Sequence, residues 1–236
     1  MRLSDAIAAR QGEAPPTYLD LRFDARGHAL PDPGCTVVAH VRDPAANAAL
    51  AAVRARMEDA GLARFWAWLP PSSFHMTMFD ILLHGRRGAA WPQDLDPTLD
   101  GRLADARTTE RLRGFALDTA PVFRMALDGL ALSPSGMGVA LRGETPAEDA
   151  RLRALRDRMA AATGLSARPG HAEYRFHITL AYLIDWPAPH EAAAADAILA
   201  EAEAALLDAL PALDLGPPEV CLFDDMTEFR PLFTLG

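Results

Sequence analysis

Residues 72–80 read SSFHMTMFD, and residues 174–182 read YRFHITLAY. Each is an apolar run interrupted by a histidine and, two places on, by a threonine. On a β-strand successive side chains point to opposite faces. Phe74, Met76 and Met78 then share one face, and Ser73, His75 and Thr77 the other. In the second stretch Phe176, Ile178 and Leu180 are separated in the same way from Arg175, His177 and Thr179. Each strand has one side for packing and one side that presents imidazole and hydroxyl together. A single His-x-Thr carries little weight: seven histidines and 12 threonines in 236 residues give about 0.36 matches by chance.

Two matches at one fixed offset weigh far more. Sliding the sequence over itself by 102 positions superposes Phe74 on Phe176, His75 on His177 and Thr77 on Thr179. The same offset aligns residues 44–60, PAANAALAAVRARMEDA, with the stretch that begins at Pro146, and nine of 17 positions are identical. Four of the nine are alanines, which match easily. The others include Leu50 with Leu152, Arg54 with Arg156 and Met57 with Met159. A helix and a motif in one register indicate an internal duplication. Two related units packed about a pseudo-twofold axis would place corresponding residues opposite each other across a shared cleft.

The flanking elements follow the same order in both halves. CTVVAHV (35–41) reads as a strand and 44–60 as a helix, with Pro44 suited to its first turn. RFWAWLPP and SSFHMTMF are extended segments around a Pro-Pro break, and 84–101 is a Gly-, Pro- and Asp-rich loop before a helix near 102–116. GVALRG (138–143) is the matching strand and 146–162 the matching helix. An alanine-rich helix at about 189–210 and a last strand, PEVCLFDDM (218–226), complete the chain. The expected fold is α+β: two pseudo-symmetric α/β lobes, 35–100 and 120–236, with antiparallel-rich sheets lining a central cleft. They form one bilobal domain behind an N-terminal extension, 1–34, that caps the cleft or braces the first lobe.

Half of the residues are hydrophobic, so a sizeable core can form. No run is long and apolar enough for a membrane span, and residues 1–18 show no apolar signal-peptide core; a cytoplasmic monomer is expected. Cys35 and Cys221 lie far apart and read as buried thiols. The formal net charge of −9 argues against binding along a long nucleic-acid backbone, though not against a small anion or an RNA end. All 23 basic residues are arginine, which compositional bias explains as readily as phosphate binding.

FHMT and FHIT, one per half and each in a hydrophobic strand, resemble the two-histidine (2H) phosphoesterase superfamily of 2′–5′ RNA ligase-like proteins and cyclic nucleotide phosphodiesterases. FDARGHALPDPG, FHMTMFD and FHITLAYLIDW resemble a branch of that superfamily of unknown function, and the resemblance runs from about residue 20 to the end. It implies two lobes around a cleft lined by both motifs, with His75 and His177 as the acid–base pair and Thr77 and Thr179 binding phosphate. Imidazole titrates near neutrality, so one ring can take a proton from water while its twin gives one to a departing ribose oxygen. Hydroxyls on either side can donate to the phosphoryl oxygens. Such a site needs no metal and no cofactor. The expected activity is hydrolysis of a cyclic phosphate or phosphodiester at a nucleotide or RNA end, with 2′–5′ ligation as the same chemistry reversed. A noncatalytic module that binds nucleotides or RNA ends is the alternative, and incidental histidines in a plain α/β protein are the third reading.

Other residues read more weakly. Arg175 and Ser73 fall on the motif faces and are candidate substrate contacts, the serine doubling as a turn residue after Pro70-Pro71. Parity places Tyr182 with the core. Arg86 and Arg87 read as a solvated loop, and Arg151, Arg153, Arg156 and Arg158 as a solvated helix surface. His28, His40, His171 and His190 show no partner in the sequence.

Overall fold

The computed structural model describes residue 2, residues 4–5 and residues 14–236; the rest of the N-terminal extension lies outside the described residues. Strands β1 (Gly34–His40), β2 (Trp66–Trp68), β3 (His75–Leu83), β4 (Phe123–Ser133), β5 (Gly136–Gly143), β6 (His177–Leu183), β7 (Ala212–Leu215), β8 (Glu219–Phe223) and β9 (Arg230–Thr234) form one antiparallel sheet. Its order is β7-β4-β5-β6-β3-β1-β8-β9, with β2 paired to β6. Of helices α1 (Pro44–Asp59), α2 (Gly101–Arg113), α3 (Pro146–Thr163) and α4 (Pro189–Ala209), the last three pack on it and α1 packs on α4.

The duplication is visible in local chemistry. Asp43 accepts from the Ala46 amide at 2.7 Å and Thr145 from the Glu148 amide at 3.2 Å. A proline follows each cap, so α1 and α3 begin with the same two signals 102 residues apart. Gly34 and Gly136 open β1 and β5, although the registers, Gly34 opposite Leu83 and Gly136 opposite Tyr182, do not make them equivalent positions. A Cβ at either would lie 2.1 Å from the Leu82 carbonyl oxygen or 2.2 Å from that of Ala181. Only glycine lets these backbones approach so closely.

The apolar face of each motif strand feeds one core. Phe74, Met76, Met78, Phe176, Ile178 and Leu180 are all at most 3% exposed, each burial being worth about 1.5–3 kcal/mol. α1 packs against α4, and α2 against α3. Since α1 and α3 are repeat partners, the second helix of each half covers the first helix of the other. The halves are thus interlocked, and the core is shared.

Strands β7 and β9 have no counterpart in the sequence reading, and two further features depart from it. β4 was not expected as a strand, because the β4–β5 register shifts between Leu127 and Leu130 and Gly129 adopts φ +94°, which breaks the alternation. The chain end, assigned by sequence to the second lobe, returns to the first: β8 pairs with β1, and β9 with β8. The pairing supplies β1 with the neighbour that β4 gives β5, so the sheet is closed symmetrically by a strand from the wrong end of the chain.

A third feature sets the site. The β1–β3 register slips between Val37 and Val38, leaving Met78 as an extra residue; the β5–β6 register slips between Met137 and Gly138, leaving Leu180 extra. Met78 and Leu180 are equivalent positions. Past a bulge the alternation inverts, so both motif strands switch faces at the same point.

Candidate active site

β3 and β6 meet at one register pair, Met76 with Ile178. In an antiparallel pair this sets Thr77 beside His177 and His75 beside Thr179. His75 and His177 are diagonal neighbours, a relationship that typically spans about 7–8 Å with the Cβ atoms somewhat closer, room that a phosphate can fill. All four residues line one cavity of about 780 Å³. The structure therefore brings together the four residues that the sequence singled out.

Both imidazoles are fixed alike. His75 donates from Nδ1 to the Ser73 carbonyl at 2.7 Å, and His177 from Nδ1 to the Arg175 carbonyl at 2.9 Å. A carbonyl can only accept, so Nδ1 carries the hydrogen and Nε2 is the nitrogen left for other contacts. Neither Nε2 has a partner among the described residues. The other paired histidines differ: His28, His40, His84 and His171 each bond a carboxylate, from Asp24, Glu219, Asp105 and Asp157.

The twofold symmetry breaks around His75. The Phe229 ring lies against it, with centroids 4.1 Å apart. His40 is its register partner, with ring centroids 6.0 Å apart, and donates from Nδ1 to buried Glu219 at 2.7 Å. Across from His177 the corresponding strand offers Ala140. Burial lowers the His75 pKa to about 4, and the neighbouring His40 and His177 add to the shift against the Ser73 carbonyl bond. His75 is neutral at physiological pH.

The bulges bring in side chains that strict alternation would turn away from the motif face. Asp80 and Tyr182, equivalent positions beyond Met78 and Leu180, both line the cavity. Tyr182 is nonetheless 8% exposed, stacked on Phe23 and edge-on to Tyr18. Tyr18 and Arg22 from the N-terminal extension also line the cavity, so this segment covers the site. Arg22 donates to Asp32 at 2.8 Å and to the Tyr182 hydroxyl at 3.0 Å.

The α3 arginines are not a solvated surface. Arg151 bonds the Ala120 and Val122 carbonyls, Arg153 that of Tyr174, Arg156 that of Met78, and Arg158 those of Ala116 and Leu117. Arg156 is 4% exposed, lies 3.8 Å under the Tyr174 ring and pins the carbonyl of the bulge residue. Its repeat partner Arg54 is exposed and pairs with Glu58. Arg168 bonds the Asp80, Ile81 and Ala90 carbonyls. Burial lowers both the Arg156 and the Arg168 guanidinium, and Asp80 opposes it.

Ser73 and Arg175 enter only through the main chain. The Ser73 hydroxyl donates to the Pro70 carbonyl at 2.8 Å, as a turn serine does. Arg175 precedes β6 and is exposed, and neither side chain lines the cavity. Their carbonyls instead set the two imidazole tautomers. Among the described residues no group of three or more His, Cys, Asp or Glu side chains is arranged for a metal, and no helix is long and apolar enough to cross a membrane.

The sheet and its paired motifs define the two-histidine phosphoesterase class, and comparison with known proteins agrees. Residues 22–136 match the family model of a 2H phosphodiesterase domain described as of unknown function, and residues 88–222 match that of the 2′-5′ RNA ligase superfamily. The chain belongs to the 2′-5′ RNA ligase superfamily of 2H phosphoesterases. It is 33% identical to a conserved protein of unknown function from Agrobacterium tumefaciens, with a TM-score of 0.87 over 98% of each chain. A Thermus thermophilus protein is more distant, at 18% identity and a TM-score of 0.40 over 85% of this chain and 96% of that one. No curated protein matches. Membership supports phosphoesterase-type activity in general.

Proposed function

We propose that the protein hydrolyses a 2′,3′-cyclic phosphate at the end of a nucleotide or RNA to a 2′-phosphate, by acid–base catalysis between His75 and His177. The observation that supports this reading most is the Met76–Ile178 pairing, which sets two imidazole–threonine pairs around one phosphate-sized gap. His75, neutral and with Nε2 free, takes the proton from the attacking water. The water oxygen bonds to phosphorus, the P–O3′ bond breaks, and His177 Nε2 gives its proton to O3′. Each proton transfer is worth about 10²–10⁴ in rate. Thr77 and Thr179 donate to the two nonbridging oxygens, where charge builds in the transition state.

Turnover of a panel of 2′,3′-cyclic nucleotides in excess EDTA tests this. Wild type should release the 2′-phosphate, and His75→Ala and His177→Ala should each lose at least about 10²-fold in kcat. Tight binding without turnover by wild type would replace the enzyme with a recognition module.

A further inference from the structure

An acidic chain has gathered its spare positive charge in one place. Among the described residues, eight arginines have no carboxylate within ion-pair distance, and four of them, Arg86, Arg87, Arg156 and Arg168, line the catalytic cavity. The one carboxylate in that lining is Asp80. A cyclic phosphodiester brings a single negative charge, so after Asp80 and the substrate two guanidinium groups are still unanswered. A terminal phosphoryl group carries roughly −1.5 to −2 at neutral pH.

The unused donors converge. Arg87 is occupied by the His84 and Leu99 carbonyls and by the Trp91 ring at 3.8 Å, and Arg156 and Arg168 by main-chain carbonyls. Arg86 is different: its one contact is a long 3.5 Å bond from Nη2 to the Tyr18 hydroxyl. That hydroxyl, in accepting it, keeps its own hydrogen without an acceptor. Arg22 stacks 4.2 Å from the Tyr18 ring and uses Nε and Nη1 on Asp32 and Tyr182, which leaves Nη2. Two guanidinium groups and a phenol from two separate segments, the N-terminal extension and the loop after β3, thus meet on the cavity wall with donors to spare.

We propose that Arg86, Arg22 and the Tyr18 hydroxyl form a second phosphoryl-binding subsite, so that the substrate bears another phosphate besides the cyclic one. This rests on the cyclic phosphodiesterase reading above and narrows it. Charge-assisted hydrogen bonds from such a fork favour a phosphoryl group strongly. The second phosphate belongs either to the 5′ position of the same nucleotide or to the backbone of an RNA end.

Three substrates decide it: adenosine 2′,3′-cyclic phosphate, its 5′-phosphorylated form, and a dinucleotide ending in a 2′,3′-cyclic phosphate. Wild type should favour at least one doubly phosphorylated substrate by about tenfold or more in kcat/KM, consistent with a charged hydrogen bond. Arg86→Gln should shrink that preference to about twofold, and which substrate is favoured identifies the source of the phosphate. Equal kcat/KM for all three, or a preference that Arg86→Gln leaves intact, overturns the subsite while the hydrolase reading stands. No turnover of any of them by wild type overturns the hydrolase reading itself.

Discussion

Met76 on β3 and Ile178 on β6 occupy the same position of the repeat, and they are each other's register partners. A position that pairs with its own duplicate marks where a twofold axis crosses the sheet. Everything one residue away is then generated twice, once on each side of the axis. His75 and Thr179 form one set, and His177 and Thr77 form the other. The symmetry supplies two similarly placed imidazoles, while Phe229 and His40, present on one side, make them unequal.

Because the threonines are related by that axis, their removal should have matched effects. Thr77→Val and Thr179→Val keep shape and β-propensity but delete the hydroxyl proposed to donate to a nonbridging oxygen. Each should lower kcat about 10- to 100-fold on a 2′,3′-cyclic nucleotide, within the range known for single oxyanion donors or somewhat below it. Steady-state kinetics of both variants check this. A large loss in one with none in the other would mean that a single half binds the phosphate.

The low pKa of His75 makes a statement about stability as well as catalysis. A histidine exposed in the unfolded chain titrates near 6.5, and the folded value is about 4. Above pH 6.5 neither state binds the proton and the term vanishes. As pH falls through this window the unfolded chain protonates first, so the native state loses up to about 2–3 kcal/mol. Urea unfolding from pH 7 to 4 should show a steeper decline for wild type than for His75→Gln. Phe229→Ala admits water to the ring and should move the acid limb of kcat/KM upward toward 6.5.

Much of this site was legible because alternation and repetition are periodic. The His-x-Thr pairs, their shared face and the helix after each first strand follow from spacing alone. Tyr182 is in the core as parity expects, but that it and Asp80 also line the cavity comes from a bulge that inverts parity, and nothing in Met78 or Leu180 announces one. Arg156 was hidden for another reason. The arginines at 151, 153, 156 and 158 spread around the helix with Asp149 and Asp157 among them, a pattern that reads as a solvated face. Arg22 and Tyr18 come from outside the repeat, where no internal comparison exists. β4 was lost at Gly129, where the pattern breaks within the strand.

Arg156 and Arg54 provide a direct contrast between equivalent positions. Arg156→Ala leaves the Met78 carbonyl at the bulge without its donor and opens space beneath Tyr174. The expected cost is about 2–4 kcal/mol, combining an unsatisfied buried acceptor with lost packing. Arg54→Ala removes an exposed i,i+4 pair with Glu58 and should cost about 0.3–0.5 kcal/mol. Chemical denaturation measures both. Equal costs would mean that Arg156 does not support the bulge.

Gly34 and Gly136 open the two strands that flank the motif strands. A methyl group at Gly34 would sit 2.1 Å from the Leu82 carbonyl oxygen, and one at Gly136 would sit 2.2 Å from that of Ala181. Neither obstacle is the movable end of a side chain, so β1 would have to separate from β3, or β5 from β6. Those are the strand pairs that seat the motifs. Gly34→Ala and Gly136→Ala should each destabilise by about 3 kcal/mol or more, at the upper end for overpacking. Gly61→Ala is the control, because Gly61 has φ +70° but nothing within 4 Å of the new methyl. It should cost about 1 kcal/mol, the strain of a left-handed backbone alone. If the two strand glycines cost no more than Gly61, close approach of the sheet backbone is not what requires them.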